Sequence, residues 1–406
     1  MKNTYEHLGQ NMTLGVINGI FFTLALAFVS GATVIPLFIS GLTKSNIIIG
    51  AFSSLEAFGW YFPQLFAGAL IVGRPLVLGF YNRNSVVRSI TFASAIGLIF
   101  LIKDTNHGLL LIAFGILFTA FSLSSGLAGI SFMEIVGKMI PTSKRGTFFG
   151  LRMFLGGFLA VISAPLVKKI IDCYSYPANF GYVFTIALLA IIIGLSCFAL
   201  VKEKPLPVQI PKRKFKENLS NGLKLLKKDS NIQRLVVARF LSNAILLAGP
   251  FYVILANQQL GISKAMAATY LSFEMVGYLG LNFLWAWLSN HVSNKRLLKI
   301  STICAFIPPI IGFVSLNINP GYFIFGLAFF FNGAALSGTS MGYTNYLLEI
   351  APEKSRPISV GLVHTLIAPT VFLSSIGGLI LEIFNFWILF FTTFIGLLIS
   401  YLYIKH

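Results

Sequence analysis

Residues 300–348 read ISTICAFIPPIIGFVSLNINPGYFIFGLAFFFNGAALSGTSMGYTNYLL and contain no Asp, Glu, Lys or Arg. A helix that crosses a bilayer needs about 20 mainly apolar residues, so this stretch is long enough for two. Asn317-Ile318-Asn319-Pro320-Gly321 interrupts it with the residue types that turn a chain. It therefore reads as a hairpin of two spanning helices. Residues 8–43, 108–133, 173–201, 240–263 and 383–404 are free of charge in the same way.

Extended over the whole chain, this reading predicts an all-α membrane protein with about twelve transmembrane helices. They are expected near 12–40, 46–72, 86–102, 109–136, 147–171, 180–201, 235–258, 264–289, 297–315, 322–350, 358–381 and 385–403. The composition agrees: 56% of residues are hydrophobic and 10% charged, against about 25% charged in soluble domains. The first apolar stretch is too long for a signal peptide and lacks a clear small-residue cleavage site, so it reads as a retained helix.

The formal charge of +18 invites a nucleic-acid reading, but its distribution argues against one. With an inside amino terminus, 23 of the 30 Lys and Arg fall in inner segments, including Arg74, Arg83, Arg88 and ten residues between 202 and 234. Only Lys44, Lys103, Lys168, Lys169 and Lys264 fall outside, and Arg152 and Arg239 lie within helix ends. This is the positive-inside asymmetry, and it places both termini in the cytoplasm. Cys173, Cys197 and Cys304 are too scattered for a disulfide framework or a zinc site.

An internal repeat organises the chain. Ser54-Leu55-Glu56-Ala57-Phe58-Gly59-Trp60 recurs as Ser272-Phe273-Glu274-Met275-Val276-Gly277-Tyr278, offset by 218. Pro141 to Arg145 and Gly150-Leu151 recur as Pro352 to Arg356 and Gly361-Leu362, offset by 211. The difference implies seven extra residues in the first copy between Trp60 and Pro141, most simply in the loop after the second helix. Two matches in the same order predict two pseudo-symmetric six-helix bundles, 1–201 and 235–406, related by an axis along the membrane normal. A basic linker, 202–234, joins them. Its Phe215, Leu219, Leu223 and Leu226 among lysines fit an amphipathic helix on the inner leaflet or a solvated connection.

These features resemble the major facilitator superfamily of transporters. That family carries a Gly-x-x-x-Asp-Arg-x-Gly-Arg-Arg-like motif after helices two and eight. Here Trp287 to Arg296 keeps the basic end, Lys295-Arg296, while Asn290 stands where the acid is usual. After helix two, only scattered Gly and Arg remain between Gly68 and Arg88. The segment Lys138 to Arg145, with Gly150-Leu151-Arg152 and Gly156-Gly157, is similar to many bacterial permeases of the family. The resemblance implies a monomer in the bacterial inner membrane that carries a small-molecule solute without a cofactor. It also implies a central cavity lined by helices one, four, seven and ten.

Glu56 and Glu274 stand out at matching depth, about 15 Å from the outer ends of their helices at 1.5 Å per residue. An intramembrane acid is expensive and normally faces a cavity or a partner. The pair is read as the site of proton coupling or substrate contact, or else as hydrogen-bonded acids that lock helices together. The implied cavity makes Asn18 and Asn243 candidate substrate contacts, with Asn332 and Tyr343 on helix ten and His364 on helix eleven. Glu134, Arg145, Arg152, Glu349 and Arg356 cluster at inner helix ends. The family pattern reads them as a cytoplasmic gate, and ordinary interfacial charge is the other reading.

No phosphate-binding Gly-x-x-x-x-Gly-Lys-Ser/Thr loop, His-Glu-x-x-His motif or metal cluster is present in the sequence. The expected function is secondary active transport of a small solute by alternating access, coupled to protons, with Glu56 and Glu274 as the coupling or substrate-contacting residues. A transport-inactive receptor or accessory protein on the same fold is the alternative. A lipid-modifying enzyme has no visible catalytic constellation.

Overall fold

The computed structural model describes residues 6–71, 74–103, 105–205, 230–350 and 356–405. The amphipathic segment expected within the linker lies outside the described residues. So does the side chain of Arg356.

Among the described residues nineteen α-helices and one 3-10 turn follow one another. They are α1 (Leu8–Phe28), α2 (Val34–Ile39), α3 (Asn46–Tyr61), α4 (Gln64–Ile71), α5 (Leu78–Ile102), α6 (His107–Met139), α7 (Thr142–Cys173) and α8 (Ala178–Ala199) in the first half. The second half holds α9 (Ser230–Ser242), α10 (Ile245–Ala248), α11 (Phe251–Gln258), α12 (Lys264–Ala268), α13 (Tyr270–Gly280) and α14 (Asn282–His291). It continues with α15 (Asn294–Ser315), α16 (Gly321–Ile350), α17 (Arg356–Ile367), the 3-10 turn Ala368–Phe372, α18 (Leu373–Ile383) and α19 (Phe386–Lys405).

Among the described residues, ten helices are long and apolar enough to cross a membrane. Two of the twelve expected spans, near 46–72 and 264–289, are divided into shorter helices instead. Pro63 divides α3 from α4, because proline cannot donate to the helical ladder. Lipid has no water to satisfy an open backbone, so spanning chains are helices. Accordingly, large apolar side chains such as Leu101 (80% exposed) and Phe323 (76% exposed) point outward. The chain is an integral, multi-pass membrane protein.

One boundary differs from expectation in a way that matters. The third spanning helix starts at Leu78 rather than near 86. Arg88, counted above as an inner-loop charge, therefore sits ten residues inside α5 and is 3% exposed. Local charge misled the reading, because Arg83 and Arg88 dilute the apolar pattern of a helix that tertiary packing nevertheless buries.

Helix ends are capped where the sequence supplies a polar side chain. Asn106 accepts from the Leu109 amide at 2.9 Å, and Ser263 and Ser293 accept from Met266 and Arg296, both at 3.2 Å. Each satisfies one of the orphan amides of a first turn. Aromatic rings fill the interior. In the first half, Phe38 packs edge-on against Phe114 at 5.0 Å and Phe92 stacks on Phe121 at 4.6 Å. In the second, Tyr270 stacks on Phe329 at 4.5 Å.

Several spans are interrupted near their middle. The first breaks between α1 and α2, where Gly31 lies against the Ser53 carbonyl and a Cβ would collide with it. The seventh breaks at Asn243–Ala244 and again at Gly249–Pro250. The eleventh passes through the 3-10 turn around Pro369. Broken helices at membrane depth free backbone groups, which is tolerated where they line a cavity or are covered by protein.

Candidate functional site

The two halves meet most closely near the face that the charge asymmetry assigns outside. There α3 packs on α18 with almost no side chain between them. A Cβ on Gly50 would meet the Ser374 carbonyl, and one on Gly378 would meet that of Asn46. Glu382 at the end of α18 accepts from Ser45 Oγ at 2.7 Å and from the Ile47 amide at 3.1 Å. A carboxylate at the positive end of a helix is stabilised by the aligned peptide dipoles. A second contact across the halves places Lys264 Nζ 5.0 Å from the Tyr176 ring centroid. This seam was not anticipated. Its one sequence signal was Ser45 ahead of an apolar run, and its partner lies 337 residues away.

The repeat proves to be interface chemistry. Ser54 donates to the Val371 carbonyl at 2.6 Å, and Ser272 donates to the Val161 carbonyl at 3.2 Å. Both bonds cross from one half to the other. The glycines of the same motif act within a half: Gly59 lies against Ser122 of α6, and Gly277 against Phe330 of α16. Small residues let helices approach this closely.

The glutamates between them differ. Glu274 is 5% exposed. Its Oε2 accepts from Ser30 Oγ at 3.4 Å, across the halves, and its Oε1 from Asn332 Nδ2 at 3.5 Å. These distances are at the long limit of a hydrogen bond. Ser30 stands at the break between α1 and α2. Glu56 is half-buried and makes no hydrogen bond or ion pair among the described residues. A buried carboxylate charge without an ionic partner is costly.

A second group of side chains gathers around Arg239 of α9. Its guanidinium carbon lies 5.9 Å from the Tyr61 ring and 5.8 Å from the Tyr343 ring. Tyr61 also meets His364 edge-on at 5.5 Å, and His364 Nδ1 lies 2.9 Å from Gln64 Oε1. Tyr61 and Gln64 belong to the first half, and Arg239, Tyr343 and His364 to the second. Tyr343 is held by its hydroxyl, 2.5 Å from Ser242 Oγ, which in turn lies 2.8 Å from Ser400 Oγ.

The remaining sequence-derived residues are placed as follows. Asn18 donates to the Gly194 carbonyl at 2.8 Å and accepts from Arg152 at 3.0 Å, inside the first half. Arg152 also donates to the Gly15 carbonyl and lies 4.5 Å from the Phe132 ring. Asn243 donates to Thr370 Oγ1, tying the break after α9 to the 3-10 turn. Arg145 donates to the carbonyls of Ile140 at 3.0 Å and Gly137 at 2.8 Å, closing the end of α6. Glu349 accepts from Asn294 Nδ2 at 3.1 Å. Glu134 lies 3.7 Å from Lys138, not against an arginine.

Lys138 in turn pairs with Glu203 at 2.9 Å. Glu203 also accepts from the Val77 amide at 3.0 Å and the Leu78 amide at 2.8 Å, so it caps α5 from the far end of the first half. Sequence reading passed over this pair, because nothing local connects residues 65 positions apart.

Comparison with known proteins follows the same lines. The model of the Major Facilitator Superfamily matches residues 235–406. No curated protein matches the chain by sequence. Solved structures do match over nearly the full length. A POT family transporter in complex with 5-aminolevulinic acid is similar at 14% identity and a TM-score of 0.74, covering 98% of this chain and 96% of that one. The nucleoside transporter NupG aligns at 13% identity and a TM-score of 0.73, covering 98% and 99%. A D-xylose-proton symporter aligns at 15% identity and a TM-score of 0.70, covering 97% of each. The resemblance read from the sequence thus recurs in the family match and in the fold.

Proposed function

We propose that this chain, which has the fold of major facilitator transporters, is a secondary active transporter of a small solute that works by alternating access and couples to protons. The observation that carries the reading is Glu274. It is a buried acid, loosely bonded to both halves at once, beside the break in the first span. A carboxyl group so placed changes its surroundings whenever the halves move. It takes a proton where it is dry and releases it where water enters. Glu56, at the repeat-equivalent position, serves the same cycle from the first half. One of the structural neighbours is itself a proton symporter, of D-xylose.

In this reading residues 1–201 and 235–406 are the two moving bodies, joined by 202–234, with both termini in the cytoplasm of a bacterial inner membrane. Glu134, Arg145, Arg152, Glu349 and Arg356 form the cytoplasmic gate. Their pairings belong to the state closed on that side, since Glu134, Arg145 and Arg152 are otherwise engaged here. Asn18, Asn243, Asn332, Tyr343 and His364 shape the path.

The test is accumulation in proteoliposomes. Glu274→Gln keeps the shape and removes the titrating group. The variant is expected to exchange solute across the membrane but not to concentrate it under a pH gradient. Normal accumulation by both Glu274→Gln and Glu56→Gln defeats the coupling assignment and makes the acids structural.

A further inference from the structure

Among the described residues every ion pair is made by a lysine. Three arginines are nonetheless buried in the helices: Arg88, Arg152 and Arg239, at 3%, 8% and 7% exposed. A guanidinium remains charged under all ordinary conditions, and a buried charge without a partner is costly.

The three differ in their surroundings. Arg152 has the Gly15 carbonyl and Asn18 Oδ1. Arg88 lies 5.0 Å from the Phe22 ring, within the first half alone, and its Nε is buried without a hydrogen bond among the described residues. Arg239 is the one that faces both halves, through Tyr61 and Tyr343, and its Nη1 is buried and makes no hydrogen bond among the described residues. Among the described residues no acid pairs with it. The rings of Tyr61 and Tyr343 flank it, and His364 packs on Tyr61 beside them.

We propose that Arg239 is the anchor of a binding site for a small oxyanion, carboxylate or phosphate, at the interface of the halves. The proposal rests on the transporter reading only in calling that anion the substrate. A guanidinium offers paired N–H donors that match two oxygens of such a group. An oxyanion supplies both the missing charge and an acceptor for Nη1. A neutral sugar would leave the charge unpaired, and a cation would be repelled. The Tyr61 and Tyr343 rings hold the guanidinium between their faces by cation–π attraction. Because Tyr343 is tethered to Ser242 and Ser400, the anchor is held in position before the anion arrives. Tyr61 and Gln64 come from the first half, so filling the site also links the two bodies.

The experiment uses the full-length protein in detergent. Its melting temperature is measured with lactate, succinate, glycerol 3-phosphate and inorganic phosphate, and with glycerol, glucose and choline as uncharged and cationic counterparts. At least one anion is expected to raise it by several degrees, with the counterparts inert. Arg239→Gln should lose that shift, and Arg239→Lys should keep part of it. Stabilisation by the neutral or cationic probes alone overturns the proposal, as does an anion shift that persists in Arg239→Gln. If Arg239→Gln does not fold, the wild-type selectivity still decides. Counterflow of the stabilising anion separates the two readings. Anion binding without counterflow upholds the site and defeats transport, whereas counterflow of glucose unaffected by Arg239→Lys upholds transport and defeats the site.

Discussion

Ser54 Oγ lies 2.6 Å from the carbonyl oxygen of Val371 and donates its proton to it across the interface of the two halves. The repeat-equivalent Ser272 does the same to Val161 at 3.2 Å. Spans two and eight are thus each tied to the opposite half by a serine hydroxyl. Each motif also places a glutamate two residues on, and Glu274 reaches across the halves to Ser30.

Removing either hydroxyl should loosen that seam. A hydrogen bond of this kind is worth about 1 kcal/mol net, or about a fivefold change in a population ratio. Ser54→Ala and Ser272→Ala are each expected to increase labelling from outside of a cysteine placed at Ser375, a near-isosteric change beside Gly50 at the same seam. The double variant should add the two effects, and unchanged labelling in both singles counts against the hydroxyls as latches.

The Glu382 contact should behave as a surface electrostatic latch. It accepts from Ser45 and Ile47 at the start of α3 but is itself exposed, so its contribution is small and weakened by salt. Glu382→Gln is expected to raise outside accessibility at low ionic strength, with the difference from wild type shrinking as salt is added. A difference that ignores salt would mean that shape, not charge, holds the seam.

The charge asymmetry makes a topological prediction. Impermeant thiol reagents applied from outside should label cysteines placed at Lys44, Asp104 and Ile318. They should miss those at Thr142, Ser220 and Lys354. Labelling at Ser220 from outside would overturn the orientation.

The Lys138–Glu203 pair, with side chains 3% and 2% exposed, predicts a stability effect of unusual size. Glu203→Ala strips a buried ammonium of its close partner and leaves the Val77 and Leu78 amides without theirs. The expected loss is about 3–5 kcal/mol, seen as a lower melting temperature in detergent. Lys138→Met combined with Glu203→Ala should cost less than the sum of the single changes. Additive losses would show that the two groups act independently.

Chain chemistry alone determined that this protein spans a membrane as helices, and it carries the internal repeat and the basic asymmetry from which two related halves and an orientation are expected. Those properties are local or periodic. Residues 300–348 without charge, the motif recurring from Ser54 at Ser272, and the lysine-rich linker are each legible in order along the chain. What tertiary structure alone decided is which side chains meet. Glu382 caps a helix 337 residues away in sequence, and Glu203 caps α5 from beyond α8. Arg88, which looked like a loop charge, is buried, and Arg239, placed by the sequence only within a helix end, lies against the rings of Tyr61 and Tyr343. The reason is physical. Hydrophobic partitioning is summed residue by residue and can be read in one dimension, whereas the burial of a charge depends on neighbours brought in by packing.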